Sequence, residues 1–229
     1  SCGGGFSESN VRQINNAIDI RRAEALQHTR AQARELLGLP ADAWVFGTIG
    51  RLVPVKGHIH LLQAFALIKD EYPQALLAII GEGRSRAALE AAIQSHGLQG
   101  RVWLLGAKDD ALQYVRAFDA FVMPSLSEGL PLALLEGMSA RLPVLGSDID
   151  SLRPILEDCG GRTFPVAQAP ALAEQLRALL NLSAESLVAE GEQAYAYLCR
   201  AHSIKAFRRQ YRELLEQMLS DAGVEIGHE

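Results

Sequence analysis

Cysteine is scarce in this 229-residue chain: only Cys2, Cys159 and Cys199 occur, odd in number and far apart. No disulfide framework and no metal-binding spacing can be built from them, which favours a reducing, cytoplasmic setting. Long apolar runs are missing as well. No stretch approaches the roughly 18 apolar residues that a membrane-spanning helix needs. The start, S-C-G-G-G-F-S-E, has no apolar core of the kind a signal peptide carries. Nor is there an excess of positive charge. The formal net charge is −5, and a general nucleic-acid binder needs a basic face, so no nucleic-acid partner is expected. A single phosphorylated small molecule asks only for local cations. Repeats and low-complexity linkers are absent too. Residues 1–13 read as a flexible, glycine-rich end, 14–220 as one domain, and 221–229 as a flexible tail. What the chain does have is core material, with 48% hydrophobic and 21% charged residues.

That material is ordered. Apolar runs of strand length, at 44–50, 75–80, 102–105, 120–123, 143–146 and 163–166, alternate with helical patterns at 58–71, 84–96, 109–118 and 131–140. Three more helical stretches follow, at 169–182, 184–199 and 203–220. Strands apolar on both faces, separated by helices, predict an α/β fold. The expectation is a doubly wound, Rossmann-like parallel sheet of about six strands with C-terminal helices. Ligands bind such sheets outside the carboxyl ends of the strands. Residues 50–57, 81–84, 106–108 and 124–130 all fall there.

The most informative of these segments is P-S-L-S-E-G-L-P-L-A-L-L-E, residues 124–136. Glu128 and Glu136 stand eight apart, close to two helical turns, so both carboxylates are expected to face one space. Pro131 suits the first turn of a helix, and the free N–H groups of a helix start accept an anion. Carboxylates for sugar hydroxyls beside a phosphate cradle suggest a nucleotide-sugar site. After the first strand comes G-R-L-V-P-V-K-G, residues 50–57. Its Arg51 offers a planar fork and Lys56 a point charge, a pairing suited to a diphosphate that gains negative charge as it departs.

In order along the chain, I-N-N-A-I-D (14–19), G-R-L-V-P-V-K-G (50–57), I-I-G-E-G (79–83), R-V-W-L-L-G (101–106), the 124–136 segment and P-V-L-G-S-D (143–148) resemble one family. It is the C-terminal, donor-binding domain of the retaining group-1 (family-four) glycosyltransferases of GT-B architecture. The resemblance runs from about residue 14 to 219. It implies catalytic roles for Arg51, Lys56 and Glu128, with the two cations on the donor diphosphate and Glu128 facing the transferred sugar. It also implies a donor site of Gly50, Arg51, Lys56, Gly106, Ala107, Lys108, Glu128, Gly129, Leu130, Pro131, Leu132 and Glu136. In that site Glu136 receives the ribose hydroxyls, Leu130 and Leu132 present backbone N–H groups, and residues 106–108 line the base. No metal and no cofactor are implied. The substrate is a nucleoside-diphosphate sugar, UDP favoured over GDP or ADP because such donors are common in the family.

The implied acceptor is a carbohydrate or a lipid-linked molecule of lipopolysaccharide, exopolysaccharide or glycolipid synthesis. It is held by an N-terminal domain outside this stretch of sequence, with the full-length enzyme peripheral to the inner face of the membrane. The donor domain alone is expected to be inactive. The alternative is a non-catalytic nucleotide-binding or interaction module of the same fold. The chain departs from the family pattern in three places: Gly137 for an alanine, Arg141 for a glycine, and Asp150-Ser151-Leu152 for a glycine-rich turn. Asp148 and Asp150 read as turn formers, and His58 and His60, two apart on a helix start, do not share a face. A stripe of Phe207, Tyr211, Leu214, Leu215 and Met218 on the last helix fits packing on its own domain and a crossing to a second domain equally well.

Overall fold

The computed structural model describes residues 14, 17–129 and 131–221. Six strands form one parallel sheet: β1 (Trp44–Ile49), β2 (Ala75–Ile80), β3 (Val102–Leu104), β4 (Ala120–Met123), β5 (Val144–Ser147) and β6 (Arg162–Phe164). Their order across the sheet is β3-β2-β1-β4-β5-β6. The helices are α1 (Ile20–Leu26), α2 (Arg30–Leu37), α3 (His58–Ala66), α4 (Arg86–Ser95), α5 (Leu132–Ser139), α6 (Arg153–Cys159), α7 (Ala169–Leu180), α8 (Ala184–Ala201) and α9 (Ile204–Asp221). The doubly wound Rossmann-like sheet expected from the sequence is the one present.

The strands show why their sequences carry no polar alternation. Val45, Leu76, Ala78, Ile80, Phe121, Met123 and Val144 enter one buried cluster with residues of α2, α5, α6 and α8. Phe46, Leu77, Ile79, Val122, Leu145 and Phe164 enter a second, on the other face, with residues of α3, α4 and α7. Neighbours along a strand point to opposite faces, and with helices over both faces most positions are apolar; Thr48, Ser147, Arg162 and Thr163 are the polar ones. β2 is buried along its whole length.

Several boundaries differ from the sequence expectation. Residues 111–117 form a three-ten helix rather than an α-helix over 109–118. β6 covers 162–164, not 163–166, and β5 covers 144–147, not 143–146. Helices α1, α2 and α6 were not expected, although local signals for two of them were present. Thr29 and Gln32 make a reciprocal capping box before α2, and Gly38 ends it in the left-handed region at φ 69°. Proline near the start and Gly160 after the end bracket α6.

Asp119 joins the N-terminal helices to the sheet. Its carboxylate accepts hydrogen bonds from Arg30 (2.7 Å), from the buried Arg34 (2.8 Å) and from the backbone N–H of Val45 (2.7 Å). Arg34 also donates to the carbonyls of Ala41, Ala43 and Ala117, so its buried charge is both paired and hydrogen-bonded, as burial demands. Gly137 has a packing cause: a Cβ there would stand 2.6 Å from the Phe121 ring. At the far end, α9 leaves the domain. Only Ala206 is buried on it, while Phe207, Tyr211, Leu215 and Met218 are exposed. Of the two readings of this stripe, packing on its own domain is therefore not what the structure shows.

Candidate functional site

The strand order reverses direction between β1 and β4, and the crevice outside the carboxyl ends of two such strands is where open α/β sheets take ligands. Residues 50–57 leave β1 on one side of this switch point, and residues 124–131 leave β4 on the other. The two segments are stitched together. Leu126 N–H donates to the Val55 carbonyl at 2.8 Å. Gly57, in the left-handed region at φ 67°, lies so close to the second segment that a Cβ would stand 1.9 Å from the Pro124 carbonyl oxygen. Only glycine meets both demands.

The neighbouring loops join this pair. Leu52 N–H donates to Glu82 O (2.9 Å), Ser85 N–H to Leu52 O (2.8 Å) and Gly81 N–H to Gly106 O (2.8 Å). Four strand ends thus form one continuous rim. The turn after β2 is further braced by Arg86, which pairs with Glu82 and Glu90.

Across the switch point Lys56 meets Glu128. The ammonium donates to both carboxylate oxygens, at 2.7 and 2.9 Å, and the Ser125 hydroxyl donates to one of them at 2.5 Å. Glu128 is 6% exposed and Lys56 23%. Gly50 and the exposed Arg51 lie on the same loop. The Arg51 side chain has neither an ion pair nor a hydrogen bond among the described residues, so its guanidinium is open to an incoming anion. His58, which follows Gly57 at the start of α3, is 4% exposed. Burial, and then the nearby Lys56 charge, push its pKa down to about 4. Its Nδ1 has no hydrogen-bond partner. His60 lies near Gln63 instead, at 3.3 Å.

Gly129 is exposed at the tip of the second segment, and Leu130 lies outside the described residues. Pro131 caps α5 without a side-chain hydrogen bond, so Leu132 begins a helix whose first N–H groups have no side-chain cap among the described residues. Glu136, one turn further along, borders a cavity of about 160 Å³ with Asp19, Arg22, Asp110 and Leu112. Burial, and then the charge of Asp110, raise its pKa to about 7.

Glu128 borders a different cavity, of about 430 Å³, with Ser127, Asp148, Asp150 and Ser151. The expectation that both glutamates face one space is not met among these cavities: α5 turns Glu136 toward α1 while Glu128 stays in the loop before it. In the third loop, Gly106 takes φ 72°, Ala107 is exposed and the Lys108 ammonium sits 5.7 Å from the Tyr114 ring centre. Asp148 and Asp150 both pair with Arg153, which gives the D-x-D pattern a structural role.

Three residues at this rim were not singled out from the sequence. Ser125 stood in the quoted motif without a role, and its place three residues before Glu128 in a turn was the available signal. His58 stands one residue past the 50–57 motif, and that adjacency was its signal. Nothing local marks Asp110, which reaches Glu136 only through the fold.

The sequence pattern of the family described as glycosyl transferases group 1 matches residues 29–197. A galactosyltransferase of Escherichia coli, UDP-Gal:alpha-D-GlcNAc-diphosphoundecaprenol alpha-1,3-galactosyltransferase, is 33% identical over 143 residues, covering 61% of this chain and 37% of its own. The phosphatidyl-myo-inositol mannosyltransferase of Mycobacterium leprae is 32% identical over 193 residues, covering 81% of this chain and 49% of its own. The crystal structure of Anabaena HepE in complex with UDP and glucose superposes with a TM-score of 0.81 at 22% identity, over 93% of this chain and 58% of that one. The chain spans between about a third and a half of the length of these curated relatives.

Proposed function

The chain belongs to the group 1 glycosyl transferases, and from that membership we propose that its switch-point rim binds a nucleoside-diphosphate sugar for transfer to an acceptor. The observation that carries this reading is the meeting of Lys56 and Glu128 across the reversal of strand order, beside the unpaired Arg51. A diphosphate is the ligand such a place suits. Arg51 and Lys56 supply two cations, and the uncapped start of α5 supplies backbone N–H groups. As the bond to the sugar breaks, charge accumulates on the diphosphate, and fixed positive groups there lower the barrier most. Glu128, beside its own cavity, faces the sugar; Glu136 and residues 106–108 take the nucleoside.

The donor is a UDP-sugar, in keeping with the relatives whose names specify UDP. Transfer keeps the anomeric configuration and needs neither metal nor cofactor. The acceptor is a carbohydrate or lipid-linked molecule, as the names of the Escherichia coli and Mycobacterium leprae relatives support. It would be held by a second domain, at the cytoplasmic face of a membrane. No helix among the described residues is long and apolar enough to cross one.

Calorimetric titration of the chain with UDP, GDP and ADP tests the reading. Saturable binding of one of them is expected, weakened at least tenfold by Lys56→Ala, since a charged hydrogen bond contributes roughly 1.5–3 kcal/mol. Silence toward all three would remove the assignment.

A further inference from the structure

The carboxylate of Glu128 has two partners, Lys56 and Ser125, and among the described residues no backbone N–H donates to it. It is 6% exposed and binds Lys56 through both oxygens. Two of the three ammonium donors are therefore turned inward, onto an anion that belongs to the chain itself. Lys56 is also the cation on which the donor reading relies, and one ammonium cannot give its close contacts to two anions in full. On that reading, we infer that Glu128 is a tethered competitor of the donor diphosphate for Lys56, and that Ser125 is the positioning residue that retains it there.

The exchange needs no bond to form or break other than hydrogen bonds and an ion pair. The diphosphate takes Lys56, and the carboxylate swings away. The structure gives it a place to go, because Glu128 already borders the cavity of about 430 Å³. Cations do not recapture it there. Among the described residues the cavity's lining carries no lysine or arginine, and Arg153 is held by two of its aspartates, Asp148 and Asp150. Release therefore moves Glu128 from the phosphate cation toward the space beside it, where a transferred sugar would lie. Occupation of the phosphate place and arrival of the carboxylate at the sugar place become one event.

The consequence is unusual for a residue at a binding site: removing its charge should tighten binding of a nucleoside diphosphate that carries no sugar. Calorimetric titration of the full chain with UDP, GDP and ADP is run on the wild type, E128Q, S125A and S125T, beside thermal melting with no nucleotide added. E128Q is expected to bind the recognised diphosphate about tenfold more tightly while melting at a lower temperature than wild type, because its ion pair is lost. S125A should shift both quantities the same way but less, about threefold in affinity, and S125T should restore them. A purely structural role for either residue would lower melting temperature and affinity together.

Wild-type binding with equal or weaker binding by E128Q and S125A would overturn the competition while leaving the donor site standing. Binding by E128Q alone would support it. Silence of all four proteins toward every nucleotide would remove the donor reading, and the competition with it.

Discussion

At the scale of single residues, the two glutamates differ in what holds them. Glu128 is tied to a cation, whereas Glu136 is partly buried near a second carboxylate, and its pKa rises to about 7. A carboxylate raised in the folded state stabilises the fold fully below its ordinary pKa and loses that contribution as pH climbs to the folded value. Between pH 4.5 and 7 the loss amounts to as much as about 3 kcal/mol. His58 works in the opposite direction. Its folded pKa of about 4 lies below the ordinary 6.5, so its contribution is present above 6.5 and lost as pH falls toward 4. The two nearly cancel between 4.5 and 6.5, and only substitution separates them. Glu136→Gln should be more stable than wild type at pH 8 and no more stable at pH 4 in urea titrations, while binding the nucleotide more weakly at pH 8. A parallel rise in stability and affinity would contradict its assigned role. Glu136 was legible in the sequence because its spacing from Glu128 is local. Its Asp110 neighbour was not, because the two stand 26 positions apart and a three-ten helix lies between them.

At the scale of elements, the departures from the family pattern become readable. Arg141, where the family carries glycine, sits in the left-handed region at φ 60°. That region costs a side chain about 1 kcal/mol, which explains the glycine elsewhere. Here the arginine offsets the cost: its guanidinium lies 3.7 Å from the Tyr195 ring centre and pairs with Glu192, fixing the turn after α5 against α8. A cation over a ring contributes about 0.5–1 kcal/mol at an exposed site, and an exposed ion pair up to about 1 kcal/mol. Stability by thermal melting should therefore fall in the order Arg141, Arg141→Gly, Arg141→Ala, since alanine keeps the strain and loses both contacts. A glycine variant more stable than wild type would refute this balance. The strands were legible almost residue by residue, because burial on both faces leaves a continuous apolar run. Helices α2 and α6 announced themselves only through caps, which are weaker signals than periodicity.

At the scale of the whole molecule, the sheet does not depend on its last helix. α9 meets the rest of the fold chiefly at α8, with Ala206 its one buried residue. Replacing Leu215 and Met218, 46% and 58% exposed, by aspartate should shift the stability in urea by no more than about 0.5 kcal/mol. Leu198→Ala, on α8 and fully buried, should cost about 3 kcal/mol. Equal losses would mean that the apolar stripe is packed in solution. The sequence by itself determined the elements that burial writes into periodicity, and it placed each candidate residue at a strand end or in the helix that follows one, because strand, turn and helix start are local events. The tertiary structure alone decided the order of the strands and hence the reversal between β1 and β4. It also decided the contact of Lys56 with Glu128 across 72 residues and the separation of Glu128 from Glu136. These depend on which faces pack together, and apolar faces attract one another without direction, so no local spacing records their partners.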